Sequence, residues 1–152
     1  MYGFAPVTLM ALRRSDPDRV RPYRLKGAAV VAPVAFISAS EIIYWTAWPT
    51  VEKLLILIAA GLVVFGLYHA FGPHADRRQP LDARSMLWVL PWFIGLGVIS
   101  YLGQYGGTGV IPAWVDLATV AVFALAVFYL GVRLALPPQR MAEQLVIEPA
   151  TS

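Results

Sequence analysis

The 152-residue chain contains no cysteine. That absence removes disulfide scaffolds, iron-sulfur clusters, thiolate zinc sites and cysteine nucleophiles together, and it leaves the redox compartment open. Charge is scarce too, at 14% of residues, and the longest polar stretch, 137 to 152, is too short to build an aqueous domain. What fills the chain is apolar. Hydrophobic residues make up 59% of it and gather into four stretches, 28 to 48, 51 to 71, 86 to 105 and 114 to 136. Eighteen or more nearly uncharged residues rise roughly 27 Å as a helix, enough to cross a hydrocarbon core of ~30 Å. The sequence therefore predicts an all-α membrane protein with four full transmembrane helices and the lipid bilayer as its solvent.

The N-terminus departs from that pattern. Residues 1 to 12 are apolar and run straight into Arg13-Arg14, but twelve helical residues reach only ~18 Å, about half of the core. Basic residues follow this run instead of preceding it, the wrong order for a signal peptide. The expectation is the C-terminal half of a fifth transmembrane helix, with Met1 an internal methionine or the reading frame truncated.

A net charge of +3 invites a nucleic-acid reading, which the positions of the charges exclude. Of twelve Lys and Arg residues, Arg13, Arg14, Arg19, Arg21, Arg24 and Lys26 precede the first stretch. Arg77, Arg78 and Arg84 lie between the second and third, and Arg133 and Arg140 close the fourth. Lys53 alone falls in an alternate loop. Cytoplasmic loops are enriched in Lys and Arg, so segment 13 to 27, loop 72 to 85 and the tail 137 to 152 are expected inside, and the turn 49 to 53 and loop 106 to 113 outside. A nucleic-acid surface would concentrate its basic residues on one domain among exposed aromatics. Here they recur with the period of the crossings. Tyr44, Trp45 and Trp48, Tyr68 and Phe71, Trp88 and Trp92, and Trp114 fall at the ends of the stretches, as an aromatic belt would.

Loop composition fixes the connections. Linker 13 to 27 carries six basic and two acidic residues with Pro17 and Pro22, and reads as a solvated basic loop. Pro49-Thr50 predicts a tight hairpin between the first two crossings, with Glu52 in the first turn of the second. Small residues four apart, Ala28 and Ala32, Ala35 and Ala39, Gly131 and Ala135, have the spacing that lets helix backbones approach in lipid.

Candidate chemistry is sparse. Glu41 lies well inside an apolar stretch, where a carboxylate costs on the order of 2.5 to 3.5 kcal/mol on insertion scales, so it must face protein or water and is a candidate for proton coupling or gating. Ser38, Tyr44 and Trp45 share its helical face and are its expected partners. A structural, interfacial role competes, because Glu41 is only ~10 Å from its helix end. Asp116, at the start of the last helix, reads as a cap-like residue that complements the helix dipole. His69, His74 and Asp76 lack ligand spacing, so no metal site is expected. The glycines of 103 to 109 follow no strand and precede no Lys-Ser/Thr pair, so they are no phosphate loop. No nucleophile, base and orienter set is present, and neither an enzyme nor a cofactor is expected.

The run from Pro6 through Leu25 resembles the junction after the tenth helix of amino acid permeases in the amino acid-polyamine-organocation superfamily. There a hydrophobic helix ends in Leu-Arg-Arg, followed by an acidic-proline turn and an Arg-Pro-aromatic-Arg element, here Arg21-Pro22-Tyr23-Arg24. Segments 44 to 55 and 88 to 117 are similar to the C-terminal helices of bacterial permeases of the aspartate-proton symporter type. The resemblance implies a multi-pass plasma-membrane protein with a cytoplasmic C-terminus, matching helices eleven to fourteen of a proton-coupled amino acid symporter. Substrate and ions in that superfamily are held where the first and sixth helices unwind, so the resemblance places the substrate site outside this chain and makes the remaining permease helices, an amino acid and a proton its partners. The expected function is that of a C-terminal fragment, inactive alone. The alternative is a self-sufficient small four-helix membrane protein acting as an accessory or oligomerising subunit.

Overall fold

A computed structural model describes residues 3–16, 25–71 and 87–135. The described residues form five helices: α1, Phe4–Ser15; α2, Ala28–Trp45; α3, Trp48–Phe71; α4, Val89–Leu102; and α5, Ala113–Leu134. No strand occurs among the described residues, and helices satisfy their backbone groups internally where lipid offers no partner.

Gly27 starts α2. Its backbone is left-handed, φ 75°, a conformation that costs glycine little, and its carbonyl accepts from Val30 and Val31 N–H at 2.9 and 3.0 Å. At the far end the chain turns at Thr46-Ala47 and enters α3 at Trp48, earlier than the turn expected at 49 to 53. Ala47 takes φ 70°, and this places Trp48 N–H 2.9 Å from the Tyr105 carbonyl. Pro49 then falls in the first turn of α3, where an N–H has no intrahelical partner to lose. Glu52 accordingly sits beyond that first turn.

Among the described residues, three helices are long and apolar enough to cross a membrane: Ala28–Trp45, Trp48–Phe71 and Trp114–Leu134. Helix α4 has 14 residues, ~21 Å, and is shorter than the crossing expected over 86 to 105. Glycines at 103, 106, 107 and 109 let the chain fold back on its end instead of continuing. Thr108 N–H bonds the Tyr101 carbonyl at 2.7 Å, Gly109 N–H the Gly103 carbonyl at 3.0 Å, and Ile111 N–H the Leu102 carbonyl at 3.1 Å. Non-helical backbone in an apolar protein persists only when its own groups are paired in this way.

Successive helices run antiparallel. Helix α2 packs chiefly on α5 and α1, α5 also on α4, and α3 rests mainly on α4. The core is aromatic: Phe36 lies 5.0 Å from Trp92 and 5.8 Å from Phe128 between ring centres, and Phe4 of α1 lies 5.8 Å from Trp92. Trp88 and Trp92, expected at the membrane surface, are buried in this core; Trp45, Tyr68, Phe71 and Trp114 are exposed at helix ends. Half-length α1 is integral to the packing, since Val7 is buried against Gly131 and Trp88. Of the small-residue pairs, Ala28 and Ala32 are buried while Ala35 faces outward.

Candidate functional site

Among the described residues, the buried polar side chains Ser40, Ser100 and Asp116 lie toward the end of the bundle that holds Tyr44, the segment after α4 and the start of α5, and Ser15 is buried at the end of α1. Ser40, one turn before Tyr44, is fully buried. Its hydroxyl donates to the Phe36 carbonyl at 2.9 Å and accepts from Trp92 Nε1 at 3.1 Å, which pairs the indole N–H inside the apolar core. Tyr44 is next along the same face of α2. Its hydroxyl donates to Asp116 Oδ2 at 2.5 Å, and the same oxygen accepts from Gln104 N–H at 3.0 Å. Asp116 is 0% exposed.

This arrangement changes the role of Asp116. Its side chain caps no amide of α5, whose N-cap is Pro112 and carries no side-chain cap bond. The carboxylate points across to α2 and to the turn after α4, so it joins three elements. Gly103 is what lets the parts approach: a Cβ there would meet the Tyr44 hydroxyl, Asp116 Oδ2 and the Ile99 carbonyl oxygen. Tyr105 closes over the pair, its ring 5.4 Å from that of Tyr44 and nearly perpendicular to it.

Three buried side-chain oxygens lack a hydrogen-bond partner among the described residues: Glu41 Oε2 on α2, Ser100 Oγ on α4 and Asp116 Oδ1 on α5. Glu41 is half-buried, and none of its expected neighbours pairs with it. Tyr44 turns to Asp116, while Ser38 and Trp45 face outward. His69 is exposed on α3 and stacked on Phe65 at 6.1 Å. His74, Asp76 and the element Arg21, Pro22, Tyr23 and Arg24 lie outside the described residues.

Sequence reading singled out Glu41 and missed the pair at Tyr44 and Asp116. The signal was present: Asp116 also stands in an apolar stretch, opposite the end of α2 that carries a tyrosine. Its nearness to a helix start drew the cap interpretation.

Comparison with known proteins adds to this geometry. The chain is 36% identical over 132 residues to an aspartate-proton symporter of Bacillus subtilis (strain 168), which covers 84% of this chain and 25% of that protein. It is 37% identical over 130 residues to the glutamate/serine transporter AimA of the same organism, covering 84% of this chain and 24% of the relative. The chain is homologous to part of an amino acid transporter. It spans about a quarter of the length of the curated relatives it matches. No family model and no solved structure matches it. Its apolar helices and these relatives make it a multi-pass membrane protein, and the relatives are transporters, not enzymes.

Proposed function

We propose that this chain is the C-terminal membrane region of a proton-coupled amino acid transporter, without the substrate site and inactive in transport alone. The observation that carries the reading is the match along 84% of the chain to only 24 to 25% of two amino acid transporters. Helices that pack antiparallel around an aromatic core supply a scaffold, and alternating access needs a site enclosed between two rocking elements. The partners in this reading are the remaining helices of the transporter, the bilayer, an amino acid and a proton.

The charge pattern supports a plasma-membrane topology with the C-terminus in the cytoplasm. Arg13, Arg14, Lys26 and Arg133 stand at one end of the antiparallel bundle and Lys53 at the other. Glu41 is the proposed proton-coupling or gating residue of this region. A buried carboxylate oxygen without a hydrogen-bond partner, on a helix apolar enough to span lipid, supports that role.

The test has two arms. Purified chain in proteoliposomes under a proton gradient is expected to take up labelled aspartate, glutamate or a neutral amino acid no faster than empty liposomes. Co-expression with the part of the aspartate-proton symporter that this chain does not match is expected to restore uptake, and Glu41→Gln in that pair to change its pH profile. Uptake by the chain alone would overturn the fragment reading.

A further inference from the structure

Charge is divided unevenly between the two ends of the bundle. Among the described residues Arg13, Arg14, Lys26 and Arg133 stand at one end against a single carboxylate, Asp16, whereas Lys53 shares the other end with Glu52 and Asp116. The first four come from the ends of three helices that pack on one another, since α1 contacts both α2 and α5, and α2 contacts α5. One bond fixes the junction of α1 and α2: the Arg13 guanidinium donates to the carbonyl of Leu25, the residue before Lys26, at 3.2 Å. Arg14, Lys26 and Arg133 are exposed, and no acidic residue stands in the first turn of α2.

The depth of these cations matches a headgroup layer. A Cβ on Gly131 of α5 would lie 2.9 Å from the Val7 side chain of α1, so the two helices, which run the same way, are level at that point. Arg133 is two residues farther along and Arg13 six, ~3 and ~9 Å at the rise of a helix. The resulting spread of ~6 Å compares with about 5–7 Å of headgroup on each side of a hydrocarbon core. Apolar side chains are exposed on the bilayer side of the same cations: Leu12 before Arg13, Val30 one turn after Lys26 and Leu130 one turn before Arg133. A ligand that satisfies both features is anionic at one end and apolar at the other, which a soluble phosphate is not.

We propose that Arg13, Arg14, Lys26 and Arg133 bind the phosphate headgroups of anionic phospholipid in the leaflet they face, with acyl chains lying along Leu12, Val30 and Leu130. Lys and Arg counted loop by loop orient a chain on insertion. The fold adds that cations from three mutually packed helices share one end of the bundle, so lipid bound there holds the ends of α1, α2 and α5 together and stabilises the folded chain. Each Lys or Arg near an anionic surface contributes about a fivefold gain in affinity. The surface does not depend on the transporter reading, nor on which side of the membrane this end occupies, because its test measures lipid binding and stability, not uptake.

The chain purified in an uncharged detergent, given increasing mole fractions of phosphatidylglycerol or phosphatidylcholine and unfolded thermally with tryptophan fluorescence as the signal, supplies the test. Phosphatidylglycerol is expected to raise the midpoint saturably, by about 5 °C beyond phosphatidylcholine at the same mole fraction. Arg14→Gln combined with Lys26→Gln is expected to raise the half-saturating mole fraction roughly 25-fold, while Lys53→Gln, at the opposite end, leaves it unchanged. Should the double variant fail to fold, native mass spectrometry of the unaltered and Arg133→Gln chains counts bound phosphatidylglycerol against phosphatidylcholine directly, and the count is expected to fall in the variant. Equal midpoints in the two lipids, with no preferential binding, would overturn the proposal. So would a response that the double variant keeps or that Lys53→Gln loses. A shift reproduced by glycerol 1-phosphate alone would overturn the lipid assignment and make the surface one for soluble phosphates.

Discussion

Tyr44 and Asp116 stand 72 positions apart in sequence, and one buried hydrogen bond of 2.5 Å joins them. Because Asp116 Oδ2 also accepts from Gln104 N–H, the contact ties the end of α2 to the start of α5 and to the turn that follows α4. Hydrogen bonds to charged groups contribute about 1.5–3 kcal/mol, and a buried carboxylate that loses a donor also carries its own desolvation cost. Tyr44→Phe is therefore expected to destabilise the chain by about 2 kcal/mol. A double-mutant cycle with Asp116→Asn, read by unfolding in mixed micelles, should give a coupling energy of at least ~1 kcal/mol. Additive effects would mean that the two side chains do not act on each other.

Two glycines in this chain should respond oppositely to the same substitution. At Gly103 a Cβ collides with the Tyr44 hydroxyl and with Asp116, whose positions are held by their own bond. At Gly61, inside α3, nothing lies within 4 Å of the added atom. Gly103→Ala is expected to cost about 2–3 kcal/mol, whereas Gly61→Ala should be neutral or stabilising by up to ~1 kcal/mol through helix propensity. Equal effects at the two positions would contradict the close approach at Gly103.

The helices were legible in the sequence because lipid imposes length and hydrophobicity on any helix that crosses it, and α2, α3 and α5 follow the expected stretches closely. The end of α4 was not legible to the same degree. The apolar run continues through Tyr105, and only the fold-back bonds from Thr108, Gly109 and Ile111 show that the helix stops at Leu102. Burial was also hard to read, since composition cannot separate a tryptophan at the headgroups from one in the core. Trp88 and Trp92 are core residues because Phe4, Phe36 and Phe128 surround them. The pair at Asp116 escaped for a related reason: a carboxylate three residues into a helix has a local explanation, and the tertiary one becomes visible only when α2 is laid beside α5.

Ser40 and Trp92 offer a test of the core. The indole N–H finds its acceptor in the Ser40 hydroxyl at 3.1 Å, inside a cluster that is otherwise apolar. Ser40→Ala leaves that N–H without a partner and should cost about 1–3 kcal/mol. Replacing both partners, Ser40→Ala with Trp92→Phe, should cost less than the sum of the separate changes. A sum obeyed within error would remove the hydrogen bond as a contributor.

Ala47 is the one non-glycine residue with positive φ among the described residues, at 70°. The left-handed conformation costs an L-residue roughly 1–2 kcal/mol, against which glycine loses more chain entropy on folding. Ala47→Gly is therefore expected to stabilise the turn by about 0.5–1 kcal/mol while keeping Trp48 N–H on the Tyr105 carbonyl. Thermal unfolding of the variant in detergent checks it, and a fall in midpoint would argue that the methyl group contributes packing that outweighs its strain.

The topology can be mapped without removing a single native thiol, because the chain has no cysteine. Lys53, near the start of α3, is exposed at the end of the bundle opposite to Arg14, Lys26 and Arg133, which are also exposed. In the proposed topology the second end, richer in Lys and Arg, is the cytoplasmic one. In intact cells a membrane-impermeant maleimide should label Lys53→Cys, and label Arg14→Cys and Arg133→Cys only after permeabilisation. Because α1 and α5 both finish at the same end, the latter two variants must behave alike whichever side that end occupies. Labelling of Arg133→Cys but not Lys53→Cys from outside would invert the assignment. Labelling of Arg14→Cys and Arg133→Cys from opposite sides would break the antiparallel order of the helices themselves.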